Sequence, residues 1–285
     1  MRGDSEMALS RVILFFFIAF SSKILAATWE ESLSNSVQYY SDEVIPLLIA
    51  STGDEQKHRI KSIEIIVKKN PADVRALFVT SEDERRFIFV TTGFLDALFR
   101  YVDVFLMQEE FGRSDLTKKY FKYFFDTVYS GDSNAPKLPV IYFLPKEKRD
   151  NWVENERLEA AKGVMYLSAL IVILTHEVAH HALDNLYGPL TPFPEKKSSE
   201  LASDEWAYDI LDKVGEGPAV GAIIGAGLIL EYERYENLND NVSLRHHPAP
   251  VSRAENGWKR TCEGELKEKL KKPCNILEKI IENMD

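Results

Sequence analysis

A buried helix that carries two histidines is the feature that most constrains the fold of this chain. Residues 165–174 are almost wholly apolar and contain neither glycine nor proline, which favours a buried helix. An HExxH motif follows, with His176 and His180 four residues apart and Glu177 between them. Residues four apart lie on one face of a helix, so both imidazoles can bind one metal ion while Glu177 faces its water. The sequence therefore predicts a central helix with a metal site.

A pair of acidic residues follows the motif, after a polar connection that contains several prolines. Glu200 and Asp204 lie one helical turn apart, beside an apolar side that includes Trp206 and Ile210. A catalytic zinc needs three protein ligands and one open position, and Glu200 can be the third ligand. Asp204 is placed to accept the free ring N–H of a ligand histidine. The alternative is that both acids form a solvated helix face, for which Glu205 is the better candidate.

These motifs resemble the gluzincin metallopeptidases, in which HExxH is followed by a helix carrying ExxxD. Within that group the chain looks most like the HtpX and Oma relatives of the CAAX prenyl endopeptidases. The segment from His247 to Arg253 resembles their HPxxxxR segment, and Arg86 to Leu95 resembles a strand and turn that line their substrate cleft. The resemblance implies an α+β fold, a mainly helical zincin domain with a small antiparallel sheet lining the cleft.

The resemblance also implies a zinc-dependent endopeptidase that hydrolyses peptide bonds through a zinc-activated water. One Zn²⁺ per chain would be bound by His176, His180 and Glu200, with Asp204 supporting a ligand histidine. Glu177 would act as general base and then as general acid. The alternative is a scaffold, stabilised by zinc, that binds proteins without cutting them.

Two further residues are candidates for the catalytic site by resemblance alone. His247 or Arg253 would donate a hydrogen bond to the oxyanion. His247 could instead occupy the open metal position in a self-inhibited state, and the neighbouring His246 could be the one that faces the metal. His181 points about 100° away from its neighbour His180 on a helix, so it is interpreted as packing.

The first residues have the pattern of an export signal. A basic residue, a short apolar run from Val12 to Phe20 and small residues up to Ala27 predict a signal peptide over residues 1–27. The alternative is an N-terminal membrane anchor, although the run is shorter than the ~20 residues that span a bilayer. Residues 28–285 are then one metallopeptidase domain, periplasmic or secreted.

Charge and cysteine content limit the partners. The formal net charge of −10 does not suit nucleic acid or anionic lipid as a general partner. No array of membrane-spanning helices follows the motifs, so we expect no stable membrane insertion after signal cleavage and a protein or peptide as substrate. The two cysteines, Cys262 and Cys274, are expected to form a disulfide in an exported chain. The sequence leaves the oligomeric state open.

The remaining pattern predicts the elements around the motifs. Alternating or β-branched runs indicate strands over residues 60–67, 74–80 and 87–91, paired antiparallel, and an edge strand over 138–144. Helices are expected over residues 94–110 and 114–129, and the aromatic run in the latter is interpreted as core. The apolar stretch 219–230 contains three glycines and is expected to be a core helix packed closely near the metal site.

Overall fold

The fold is mainly helical, with one small sheet. This computed structural model describes residues 29–81, 83–113, 115–129, 140–153, 156–186, 191–215, 218–238, 250–263 and 271–282. The first part contains α1 (Trp29–Tyr39), a π-helical segment (Tyr40–Val44), α2 (Ile45–Ser51), α3 (Asp54–Lys61), β1 (Ile63–Lys68), β2 (Ala76–Thr80), β3 (Arg86–Thr91), α4 (Thr92–Phe111) and α5 (Leu116–Tyr129). The second part contains a 3₁₀ turn (Val140–Phe143), α6 (Lys146–Val153), α7 (Glu156–Leu183), α8 (Phe193–Lys213), α9 (Ala219–Leu238), α10 (Pro250–Cys262) and α11 (Lys271–Glu282).

The sheet is mixed, so the prediction of an antiparallel sheet is wrong in part. Its strand order is β1-β3-β2, with β1 parallel to β3 and β2 antiparallel to β3. The connection from β1 to β2 crosses the end of β3, which places β2 on the far side. Gly93 permits this crossing, because a Cβ there would lie 2.3 Å from the carbonyl oxygen of Asp73. Its N–H donates to the carbonyl oxygen of Asn70 at 3.1 Å.

Helix α7 is the centre of the molecule. It packs against α3, α4, α8 and α9 and against strand β2. Leu170, Leu174 and Val178 are fully buried in these contacts. The polar residues that follow on the same helix are therefore held deep inside the fold.

The aromatic run of α5 belongs to the core, as the sequence predicts. Four of its rings are fully buried, those of Tyr120, Phe121, Phe124 and Phe125. They contact one another and α9 through Tyr232 and Tyr235. Burying several large rings contributes a large share of the hydrophobic stabilisation of such a domain.

The last three described helices pack against one another. Helix α10 packs against α9 and α8, and α11 packs against α10 and α9. A disulfide joins Cys262 at the end of α10 to Cys274 in α11, as predicted. The predicted core helix over residues 219–230 is the first part of α9. The close packing expected of its glycines is confirmed at Gly221 and Gly227.

The predicted edge strand over 138–144 is wrong where the structure describes it. Residues 140–143 form a 3₁₀ turn in which the N–H of Leu144 donates to the carbonyl oxygen of Ile141. Pro145 follows at once and ends the turn, because proline has no N–H to continue it. Residues 138 and 139 lie outside the described part of the chain, as does the predicted signal peptide.

One stretch within the described residues, Leu158–Leu183 of α7, is long and apolar enough to cross a membrane. The central helix of a soluble domain meets the same criteria of length and composition. Here the stretch contacts other helices and β2 and ends in buried polar side chains.

Candidate metal centre

Helix α7 brings His176 and His180 together. They are 4% and 0% exposed, and their Nε2 atoms lie 3.2 Å apart. Their spacing of four residues places both rings on one face of the helix, as the sequence predicts.

Helix α8 supplies the third side chain. Glu200 is 1% exposed, and its Oε2 lies 3.3 Å from Nε2 of His176. Its Oε1 lies 3.3 Å from Nε2 of His180. The three side chains therefore form a buried group that could hold a metal ion.

The outer ring nitrogens of both histidines have partners. His176 Nδ1 lies 2.8 Å from Asp204 Oδ1. His180 Nδ1 lies 3.1 Å from Asn185 Oδ1 and 3.1 Å from Ser203 Oγ. With the Nδ1 proton donated to these oxygens, a metal ion that displaces any proton from Nε2 would meet a lone pair there, in the tautomer that binds metals.

Arg253 on α10 contacts this arrangement on the Nδ1 side of His176, away from Glu200. Its Nη2 donates to Asp204 Oδ1 at 2.6 Å and lies 3.3 Å from His176 Nδ1. Tyr208 also donates to the backbone oxygen of Arg253. The structure thus joins the HExxH helix, the ExxxD helix and the HPxxxxR arginine in one polar network.

The buried carboxylates favour positive charge at this place. Burial lowers the pKa of His176, but Asp204 and Glu200 outweigh burial and raise that pKa to about 10. Burial would raise the pKa of Asp204, but Arg253 and His176 lower it, so Asp204 is ionised. Burial lowers the pKa of His180 and favours its neutral ring, the form that binds metals.

Glu177 lies outside the group of three and borders a cavity. Its Oε2 accepts a hydrogen bond from the backbone N–H of Phe78 in β2 at 3.0 Å. The cavity has a volume of about 320 Å³ and is also bordered by His176 and Arg253. The sheet therefore lines the cavity through β2, one of its two edge strands.

Two other histidine predictions have different outcomes. His181 is fully buried, and its Nε2 donates to the carbonyl oxygen of Phe87 at 3.0 Å, which confirms a packing role. Burial lowers its pKa to about 4, so its ring is neutral. His246 and His247 lie outside the described residues, and their predicted roles stay predictions.

Three contacts of the site do not follow from the motifs. Ser203 lies three residues after Glu200, so its place on the same helix face is a signal that sequence reasoning could have used. Asn185 lies two residues after the end of the HExxH helix, but no spacing rule points to it. The hydrogen bond from Phe78 uses its backbone N–H, so the residue type carries no signal for it.

Comparison with family models, curated proteins and solved structures yields no match for this chain. The function must therefore be inferred from the chemistry of the site.

Proposed function

We propose that this protein is a zinc-dependent endopeptidase. The observation that carries the proposal is the position of Glu177, an acid beside a buried group of three metal-binding side chains and on the wall of a cavity. A purely structural metal site would not require an acid at this position. The scaffold alternative gives Glu177 only a structural role, such as its hydrogen bond with the backbone N–H of Phe78.

The separations of the three side chains support zinc. Zinc binds histidine nitrogen at about 2.0–2.1 Å and carboxylate oxygen at about 2.0–2.2 Å, usually with tetrahedral geometry. Two donors of such a tetrahedron lie about 3.3–3.4 Å apart. The observed separations are 3.2 Å between the two histidines and 3.3 Å from each histidine to Glu200. Two imidazoles and one carboxylate are also a donor set that zinc favours in catalytic sites.

In the proposed reaction, each side chain of the site would have a separate role. A bound zinc ion would supply Lewis-acid polarisation of the substrate carbonyl and a more acidic water. Glu177 would accept the proton of the attacking water and deliver it to the leaving amine. The N–H of Phe78 would hold the Glu177 carboxylate in place, and Asp204 would orient His176. Arg253 would hold Asp204 in place through its hydrogen bond. The proposal also includes His247 or Arg253 as the donor of a hydrogen bond to the oxyanion.

Two independent features support the proposed compartment and substrate. The disulfide between Cys262 and Cys274 supports export to an oxidising compartment, in line with the predicted signal peptide or, as the alternative, an N-terminal anchor. The net charge of −10 favours a polypeptide over nucleic acid as substrate.

The test is the substitution Glu177→Gln. This variant keeps the metal-binding group and an oxygen that can accept from Phe78, but it lacks the proton acceptor. We expect full zinc content and a loss of casein cleavage of at least about 100-fold. The matched control is Glu205→Gln on the exposed side of α8, which should keep both. Equal cleavage by wild type and Glu177→Gln would refute the proposal, and zinc without any cleavage would favour the scaffold.

A further inference from the structure

Strand β1 forms the edge of the sheet that lies away from the candidate metal centre. In the order β1-β3-β2 it pairs with β3 alone, while β2 forms the other edge. Among the described residues, no backbone group of residues 63–67 forms a backbone hydrogen bond outside that ladder. The outer side of an edge strand presents N–H and C=O groups that a further strand can pair with.

The side chains of β1 that face the core stay partly exposed. Ile65 and Val67 pair with Ile88 and Val90 of β3. The two β3 residues are fully buried, whereas Ile65 and Val67 are only partly buried against the same core. A strand added beside β1 would remove more of these β-branched side chains from water, which is favourable.

The opposite face of β1 carries two opposite charges placed symmetrically. Glu64, Ile66 and Lys68 alternate on this face, and both charged residues are exposed. Charged side chains usually protect an edge strand, because like charges meet when the strand pairs with its own copy. Antiparallel self-pairing centred on Ile66 instead places each Glu64 opposite the Lys68 of the other copy. The charges of β1 therefore favour this pairing, and they disfavour a parallel one.

We propose that β1 pairs with β1 of a second copy of this chain, antiparallel and centred on Ile66. The same register places Ile65 opposite Val67 of the other copy on the core-facing side, and pairs of β-branched side chains stabilise a sheet. Two three-stranded sheets then form one continuous sheet with the order β2-β3-β1-β1-β3-β2.

This dimer would leave both candidate metal centres open. Each centre lies beside β2, where the N–H of Phe78 donates to Glu177. The two β2 strands are the outer ends of the joined sheet and lie about 24 Å apart, since neighbouring strands are about 4.8 Å apart. The inference does not depend on the proposed peptidase activity, because it concerns the opposite edge of the sheet.

Contacts within the chain leave these charges available to a second copy. Glu64 Oε2 lies 3.1 Å from Arg85 Nη2, and the two side chains are 57% and 62% exposed. An ion pair so exposed contributes little, and a carboxylate has a second oxygen that can accept a hydrogen bond. Lys68 Nζ lies 3.7 Å from the centroid of the Phe89 ring. An ammonium group has three donors, so this contact leaves others for an acid across the edge.

The first test exchanges the charges. Sedimentation velocity of the purified wild type should show a dimer at about 10 μM. Glu64→Lys puts lysines opposite each other at both ends of the pairing, so the dimer Kd should rise at least about tenfold. Adding Lys68→Glu restores opposite charges and should return the Kd to within about threefold of wild type. Arg85→Gln is the control, because it removes only the contact of Glu64 within the chain and should keep the wild-type Kd.

The second test reads the register. Opposite residues of an antiparallel pair have Cα atoms about 4.5–5.5 Å apart, which a disulfide can span. The two cysteines of the chain are joined to each other. Ile66→Cys should therefore form a covalent dimer on mild oxidation, seen on a non-reducing gel. Val79→Cys is the matched control, because it lies on the same face of the sheet but on the other edge, and it should stay monomeric on that gel.

Three results would each overturn the inference. The first is a wild type that stays monomeric at about 100 μM, which would leave this edge to a strand of another protein. The second is a dimer Kd that Glu64→Lys does not change. The third is an Ile66→Cys variant that forms no more covalent dimer than Val79→Cys.

Discussion

A single carboxylate oxygen of Asp204 joins His176 to Arg253. Its Oδ1 accepts from His176 Nδ1 at 2.8 Å and from Arg253 Nη2 at 2.6 Å. Asp204 is only 3% exposed, and a buried carboxylate is costly unless it is paired. Arg253 therefore stabilises the negative charge that orients His176. Sequence reasoning predicts Arg253 as a donor to the oxyanion, and the structure adds this positioning contact.

If the group of three holds zinc, as proposed, the residues around it should contribute unequally to zinc affinity. Glu200→Ala removes a ligand atom and should abolish stoichiometric zinc binding at micromolar metal. Asp204→Asn leaves the ligands but weakens the support of His176, so affinity should fall by about 10- to 100-fold. Glu205→Ala changes an exposed acid on the same helix and should bind zinc like wild type. Competition with a chromophoric chelator measures all three affinities.

The opposite order among these variants would contradict the assignment. If Glu205→Ala loses zinc while Glu200→Ala retains it, Glu200 is not a ligand. If Asp204→Asn has wild-type affinity, the hydrogen bond to His176 does not support the site. Far-ultraviolet circular dichroism of each variant identifies any loss that comes from unfolding.

At the scale of elements, the two helices that carry the metal-binding group follow directly from the sequence. The apolar run before His176 and the spacing of Glu200 and Asp204 predict α7 and α8, because helical periodicity is a local property. The same is true of the aromatic core helix α5. The long helix α9 is predicted for the same reason, and its glycines indicate its close packing.

The strand order does not follow from the sequence in the same way. Local pattern locates the three strands, but it does not say that β1 pairs with β3 across a crossing connection. That crossing depends on the close approach of Asp73 to Gly93. These two residues are 20 positions apart in the sequence, so the local alternation of residue types does not reveal their contact. The hydrogen bond from Phe78 to Glu177 depends on this order, since β2 must be the edge strand beside α7.

The packing of α9 on α7 yields a prediction for two helix glycines. Gly221→Ala places a methyl group against the carbonyl oxygen of Ser168, so α9 must shift, and the free energy of unfolding should fall by about 1–3 kcal/mol. Gly163→Ala meets nothing and gains helix propensity, so it should raise that free energy by up to about 1 kcal/mol. Urea unfolding measures both, and equal stability of the two variants would contradict the close approach of α7 and α9.

At the scale of the whole molecule, the site joins elements that are distant in the chain. Glu200 lies beside both histidines of α7, and Asp204 joins α8 to Arg253 of α10. The disulfide then joins α10 to α11. A metal ion at this place would therefore stabilise the folded state as a whole, since the unfolded chain does not hold its ligands together.

Chelation should consequently lower the melting temperature of the whole protein. Without a cation, Arg253 and any proton on His176 offset part of the negative charge of the buried carboxylates of Glu200 and Asp204. At a free zinc concentration about 1,000 times the Kd, binding stabilises the folded state by about 4 kcal/mol. For a domain of this size that corresponds to a rise of about 8–16 °C in Tm. Differential scanning calorimetry with zinc and with chelator should show this shift in wild type and in Glu177→Gln. Glu200→Ala should melt at one temperature in both conditions, and a wild type that does the same would show that the group binds no zinc.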